Sequence, residues 1–140
     1  MQVNRYLKDK HFDHIDHALG RPVDPMGETY RDHFAADAGS KTAAEMTASS
    51  HWTQGAKSKF ARSLVWFYVT PAGRAALRDH LKEIGDRHRL FYISWDGITI
   101  TEVAETRAKA RYSAFLRASD CDLDLTFKQF QAEARVRLSP

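Results

Sequence analysis

Leu64-Val65-Trp66-Phe67-Tyr68-Val69-Thr70-Pro71-Ala72-Gly73-Arg74-Ala75-Ala76-Leu77-Arg78-Asp79-His80-Leu81-Lys82-Glu83-Ile84-Gly85 reads as a strand running directly into a helix. The residues from Leu64 to Val69 are dense in β-branched and aromatic side chains. Thr70 offers a side-chain oxygen to the free N–H groups of a first helical turn. Pro71 follows at the first helical position, where its missing N–H is not needed. Ala76, Leu77, His80, Leu81 and Ile84 recur at helical spacing and form one apolar stripe. Gly85 is a C-terminal stop. The stretch predicts a strand over 60–69 and a helix of about fourteen residues. A lone strand leaves its backbone groups unsatisfied, and Trp52-Thr53, across the loop 54–59, is its nearest partner.

Toward the N-terminus, residues 1–11 are polar and read as frayed. Phe12, Ile15 and Leu19 share one face of a short helix, which Gly20, Pro22 and Pro25 end. Tyr30 and Phe34, one turn apart, suggest a second helical or turn segment over 30–34. Ala38-Gly39-Ser40 is loop, and Thr42 to Ser49 is a further helix. Helices, a basic loop over Gly55–Lys59 as the wing, a strand and a last helix give the layout of a winged helix.

Toward the C-terminus, Arg89 to Trp95 and Ile98 to Val103 flank Asp96-Gly97, a type I′ hairpin signal. Thr106 caps a helix over Arg107–Ala118 with Ala108, Tyr112, Phe115 and Leu116 as its apolar positions. Asp120 to Asp124 is an acidic loop, followed by a short helix carrying Phe127 and Phe130. Ala134, Val136 and Leu138 alternate with Arg135 and Arg137 as a terminal strand. The fold class is therefore α+β: a winged-helix-like domain over 1–86, then a small ββααβ domain over 89–140 packed on it.

The 140 residues suffice for one ordinary domain or two very small ones; 43% hydrophobic and 28% charged residues fit a globular chain. A net charge of +3 permits a nucleic-acid or acidic partner without requiring one. Cys121 is the only cysteine, which excludes an intrachain disulfide and points to a reducing compartment. The polar N-terminus is no signal peptide and no apolar run reaches membrane-spanning length, so the expected location is the cytoplasm.

Three stretches, His17-Ala18-Leu19-Gly20-Arg21-Pro22, Tyr30-Arg31-Asp32-His33-Phe34 and Tyr68-Val69-Thr70-Pro71-Ala72-Gly73-Arg74-Ala75-Ala76-Leu77, occur in that order. In this the first half resembles short uncharacterised proteins from phages and prophages of proteobacteria. The second half is similar to another phage-associated family. It does so through Trp95-Asp96-Gly97, Ala104-Glu105-Thr106-Arg107-Ala108-Lys109-Ala110-Arg111-Tyr112, Asp124-Leu125-Thr126-Phe127-Lys128-Gln129-Phe130 and Ala134-Arg135-Val136-Arg137. The resemblances imply a phage or prophage accessory protein of a bacterial host. They carry no catalytic residues. Small phage proteins of this size often act as regulators or as inhibitors of host defences, anti-CRISPR proteins among them.

Candidate chemistry is sparse. His11, His14 and His17 interleave with Asp13 and Asp16, but successive steps of three residues turn the outer pair apart, and no fourth zinc ligand stands near. His11 and His14 read as solvated and His17 as part of the fold. Cys121 lies between Asp120 and Asp122, which disfavour a thiolate. No phosphate loop or nucleophile elbow is present. The chain therefore reads as a non-enzyme without metal or cofactor. Its basic residues are the binding candidates: Lys57, Lys59 and Arg62 around the wing, Arg107, Lys109, Arg111 and Arg117 on a helix, and Arg135 and Arg137 on a strand. Trp66, Phe67, Tyr68, Phe91, Tyr92 and Trp95 exceed what alternating strands bury in one small core, so an aromatic face is left for a partner or a homodimer. The expected function is stoichiometric binding to nucleic acid or to a host protein or ribonucleoprotein complex, most sharply as an inhibitor of CRISPR–Cas or another defence. The alternative is a winged-helix DNA-binding transcriptional regulator.

Overall fold

The computed structural model describes residues 2–57 and 63–140. Among these residues the fold is α+β, with five helices and two three-stranded antiparallel sheets. The chain divides into two compact units, Gln2–Gly85 and Asp86–Pro140.

The first unit comprises α1 (Lys10–Ala18), β1 (His33–Asp37), α2 (Lys41–Ala48), β2 (Trp52–Lys57), β3 (Leu64–Val69) and α3 (Pro71–Glu83). The strand-to-helix junction forms as the sequence predicts: the Thr70 hydroxyl accepts from the Gly73 N–H at 3.1 Å. Trp52 and Thr53 pair with Val69 and Tyr68. β3 is central, with β1 on its other side, and Phe67 is 1% exposed.

Two expectations are corrected here. Residues 30–34 are not a helix: His33 and Phe34 open β1 and pair with Tyr68 and Phe67. The i, i+4 spacing of Tyr30 and Phe34 is outweighed by the need of β3 for a hydrogen-bonding partner on its second side. Nor is the N-terminus frayed. Val3 is 1% exposed and donates its N–H to the Arg21 carbonyl at 2.7 Å. Arg5 grips Asp16 through Nε at 3.0 Å and Nη2 at 2.7 Å. Arg21 Nη1 lies 2.8 Å from Asp13 and 3.2 Å from Asp16. Charges of opposite sign that look solvated in the sequence neutralise one another around the wholly buried Asp16.

The second unit comprises β4 (Arg89–Trp95), β5 (Ile98–Ala104), α4 (Arg107–Cys121), α5 (Phe127–Glu133) and β6 (Arg135–Leu138), with sheet order β5-β4-β6. Asp96 at φ 48° and Gly97 at φ 76° make the expected tight turn. Thr126 caps α5 in a reciprocal capping box with Gln129. The buried face of α4 differs from expectation. Ala110, Ala114 and Ala118 face the core, Ala108 is exposed, and Tyr112 and Leu116 are 51% and 48% exposed. Small residues let α4 lie close over the sheet, so its larger side chains flank the contact. Phe115 packs from the side, with its ring 5.3 Å from Phe127 and 5.9 Å from Phe130.

Candidate partner-binding face

β4 alternates strictly, and its alternation decides what the second sheet offers. Phe91 and Ile93 are buried against the helices with Ala110, Ala114 and Phe130. Leu90, Tyr92 and Ser94 therefore point to the other face. Their cross-strand partners are Val103, Thr101 and Thr99 on β5, and Arg137 and Arg135 sit opposite Tyr92 and Ser94 on β6. The helix-free face thus gathers an aromatic ring, hydroxyls and two exposed arginines. The Arg137 guanidinium carbon stands 5.4 Å from the centre of the Tyr92 ring, within cation–π range. Tyr92 receives a hydrogen bond from the Ser139 hydroxyl at 3.4 Å.

The other predicted basic residues do not join one surface. Lys57 is exposed at the end of β2, in the first unit. Lys59 and Arg62 lie outside the described residues. Arg107, the first residue of α4, reaches β6 and donates from Nη1 to the Val136 carbonyl at 2.8 Å. Lys109 is 3.4 Å from Glu105, one helical turn away. Arg111 is half-buried, and its Nε is enclosed without a hydrogen-bond acceptor. Arg117 leaves the set altogether: its Nε is 2.8 Å from Oε1 of the buried Glu102. Burial raises the Glu102 carboxyl above the ordinary glutamate range, and the Arg117 charge opposes that rise. Arg135 and Arg137 share the face with Tyr92, and Arg107 is held at the β6 edge by the Val136 carbonyl.

Thr99 and Thr101 were not expected at a site; Tyr92 was one of six aromatic residues expected to leave an aromatic face, and was not singled out among them. The alternation of Phe91-Tyr92-Ile93-Ser94 held the signal for Tyr92; the aromatic density of the run pointed instead to core. Of the six aromatic residues, Phe67 and Phe91 are buried, Trp66, Tyr92 and Trp95 are half-buried, and Tyr68 is 42% exposed.

The histidines are corrected as well. His11 and His14 are half-buried rather than solvated, and His17 is exposed. His11 Nε2 lies 2.8 Å from His51 Nδ1. Burial, reinforced by the neighbouring His51, lowers the His11 pKa. Among the described residues no group of three His, Cys, Asp or Glu side chains is arranged to hold a metal ion, and no helix is long and apolar enough to cross a membrane.

Comparison with family models, with curated proteins and with solved structures gives no match.

Proposed function

We propose that the chain is a non-enzymatic binding protein that attaches stoichiometrically to a phosphate-bearing partner through the helix-free face of its second sheet. The observation that carries this is the placement of Arg135 and Arg137 on the same face as Tyr92, with Arg137 lying over the ring. Guanidinium groups neutralise phosphates, and an aromatic face accepts an unstacked base. In the phage setting that the resemblance implies, the partner of this chemistry is a nucleic-acid-containing defence complex of the CRISPR–Cas kind, and the chain is its inhibitor.

The test is binding of the full chain to fluorescein-labelled single-stranded RNA and duplex DNA across a salt series. Arg135→Ala and Arg137→Ala are each expected to weaken binding on any sequence and to lower the salt slope by about one unit. Tyr92→Leu is expected to weaken single-strand binding at an unchanged slope. Equal binding by the arginine variants would refute the reading.

The winged-helix regulator is the second reading. The order helix, strand, helix, strand, strand in the first unit, with Lys57 leading out of β2, supports it. Against it, a helix-turn-helix needs two consecutive helices joined by a short turn, and only α2 stands between β1 and β2. That helix presents Lys41, Glu45 and otherwise Thr, Ala and Met, with no arginine or asparagine for base edges. Selective duplex binding lost on changes within 41–48, and unaffected by Arg137→Ala, would favour the regulator.

A further inference from the structure

The two edges of the second sheet are not alike. Across the two-residue turn, Trp95 and Ile98 form the first hydrogen-bonded pair. Pairs then alternate, so the backbone groups of Ile98, Ile100, Glu102 and Ala104 face β4, and those of Thr99, Thr101 and Val103 face outward. The bond from the Ser139 N–H to the Leu90 carbonyl at 2.9 Å fixes the same alternation on the β6 side. On β6 the outward carbonyl of Val136 is taken by Arg107. β5 has a strand on one side only, and its free edge carries no proline and no lysine.

Beside that free edge, between β5 and α4, runs a groove of about 420 Å³ lined by Trp95, Ile98, Ile100, Arg117, Ala118 and Cys121. Ile98 is 54% exposed in it. Arg117 is engaged by Glu102. At the end of the groove where Cys121 stands, α4 terminates in its free carbonyls, with Asp120, Asp122 and Asp124 exposed and none of them neutralised by a basic side chain among the described residues. Helix C-termini and carboxylates both favour a cation.

We propose that β5 and α4 form a docking groove for an extended peptide segment of a partner protein, bound by strand addition. Main-chain groups of the peptide pair with Thr99, Thr101 and Val103. Alternate apolar side chains enter the groove on the α4 side of the sheet, those between them lie on the opposite face, and a basic residue at the end of the segment meets the acidic end of α4. Thr99 and Thr101 turn their side chains to the arginine face and their outward backbone groups to this edge, but the docking does not depend on the arginines.

The test uses the full chain and a fluorescein-labelled octapeptide of alternating valine and serine with a lysine at each end. Controls are the same peptide with glutamate for lysine, and one N-methylated on alternate residues along one edge. Saturable anisotropy is expected for the lysine peptide, together with amide shifts at Thr99, Thr101 and Val103. The glutamate and N-methylated peptides are expected to bind at least tenfold more weakly. Thr101→Pro removes an outward N–H without removing a bond to β4, so it should abolish binding while leaving thermal unfolding largely unchanged. If that variant unfolds, Cys121→Trp, a substitution at an exposed position, fills the groove and should weaken binding at least tenfold. Absence of saturable binding, equal binding of the N-methylated peptide, or amide shifts remote from β5 and α4 would overturn the proposal. So would a dimer that Thr101→Pro dissociates, since β5 would then be occupied by a second copy.

Discussion

Asp16 shows how much a single buried charge can organise. Its carboxylate has no solvent contact, and its two oxygens are met by Arg5 from the N-terminal segment and Arg21 from the turn after α1. Asp13, on the same helix, takes Arg21 and the Leu7 N–H at 3.0 Å. Desolvation opposes ionisation of Asp13, but the hydrogen bonds from Arg21 and Leu7 and the Arg21 charge outweigh it and hold its pKa below the ordinary aspartate value. A carboxylate with a depressed folded pKa contributes stability above its unfolded value. That contribution is lost as pH falls through the folded one. Asp13→Asn is therefore expected to be less stable than the parent at neutral pH. Its urea midpoint should fall less steeply than the parent's below about pH 4. Midpoints measured from pH 2 to 7 check this, and parallel curves for the two proteins would contradict it.

At the scale of elements, two glycines act for different reasons. Gly73 lies in the first turn of α3, where any residue fits the backbone, yet a Cβ there would stand 2.5 Å from the His51 carbonyl oxygen. It lets the helix start close against the entry to β2. Gly97 has open space around it, but its φ of 76° is strained for a side chain. Gly97→Ala is expected to cost about 1–2 kcal/mol from conformation alone. Gly73→Ala is expected to cost more, because a backbone carbonyl must move. Chemical denaturation of the two variants decides it; Gly73→Ala matching the parent would remove the steric account. Side-chain bonds tie residues 30–34 to residues 17–22, and residues 68–77 to the loop between those two stretches. Arg31 donates to the His17 carbonyl, and Arg74 donates to the carbonyls of Pro25 and Gly27 and to the Thr29 hydroxyl. Gly20 lies against the Tyr30 ring, where a Cβ would be 2.5 Å away.

At the scale of the whole molecule, the described residues form two hydrophobic cores. One is built from residues between Leu7 and Leu81, the other from residues between Phe91 and Val136. Breaking the ion-pair cluster should therefore damage the first selectively. Asp16→Ala leaves Arg5 and Arg21 facing a buried void, and losing one partner of such a cluster costs about 3–5 kcal/mol. Amide hydrogen exchange is expected to show lost protection at Ile15, Phe67 and Leu77, with Phe91 and Ile93 retaining theirs. Equal loss across both sets would show that the units unfold as one.

The sequence by itself determined the elements whose signals are local. Thr70-Pro71, Asp96-Gly97 and the Thr106 and Thr126 caps place a helix start or a hairpin within a few residues, because each rests on backbone geometry that one or two side chains set. The alternation of Arg135-Val136-Arg137-Leu138 likewise gave the terminal strand and the outward arginines. Tertiary structure alone decided whatever depends on a distant partner. Residues 33–37 are a strand because β3 needed a neighbour, and the N-terminal segment is ordered because Asp16 needed Arg5. α4 buries its alanines because it lies close on the sheet. The nine basic residues look alike in the chain. Only the fold assigns Arg117 to Glu102 and Arg107 to the β6 edge, leaving Arg135 and Arg137 with Tyr92 on an open face. A charge's role is set by what burial and strand register place within a few ångströms of it, and neither is a local property of the sequence.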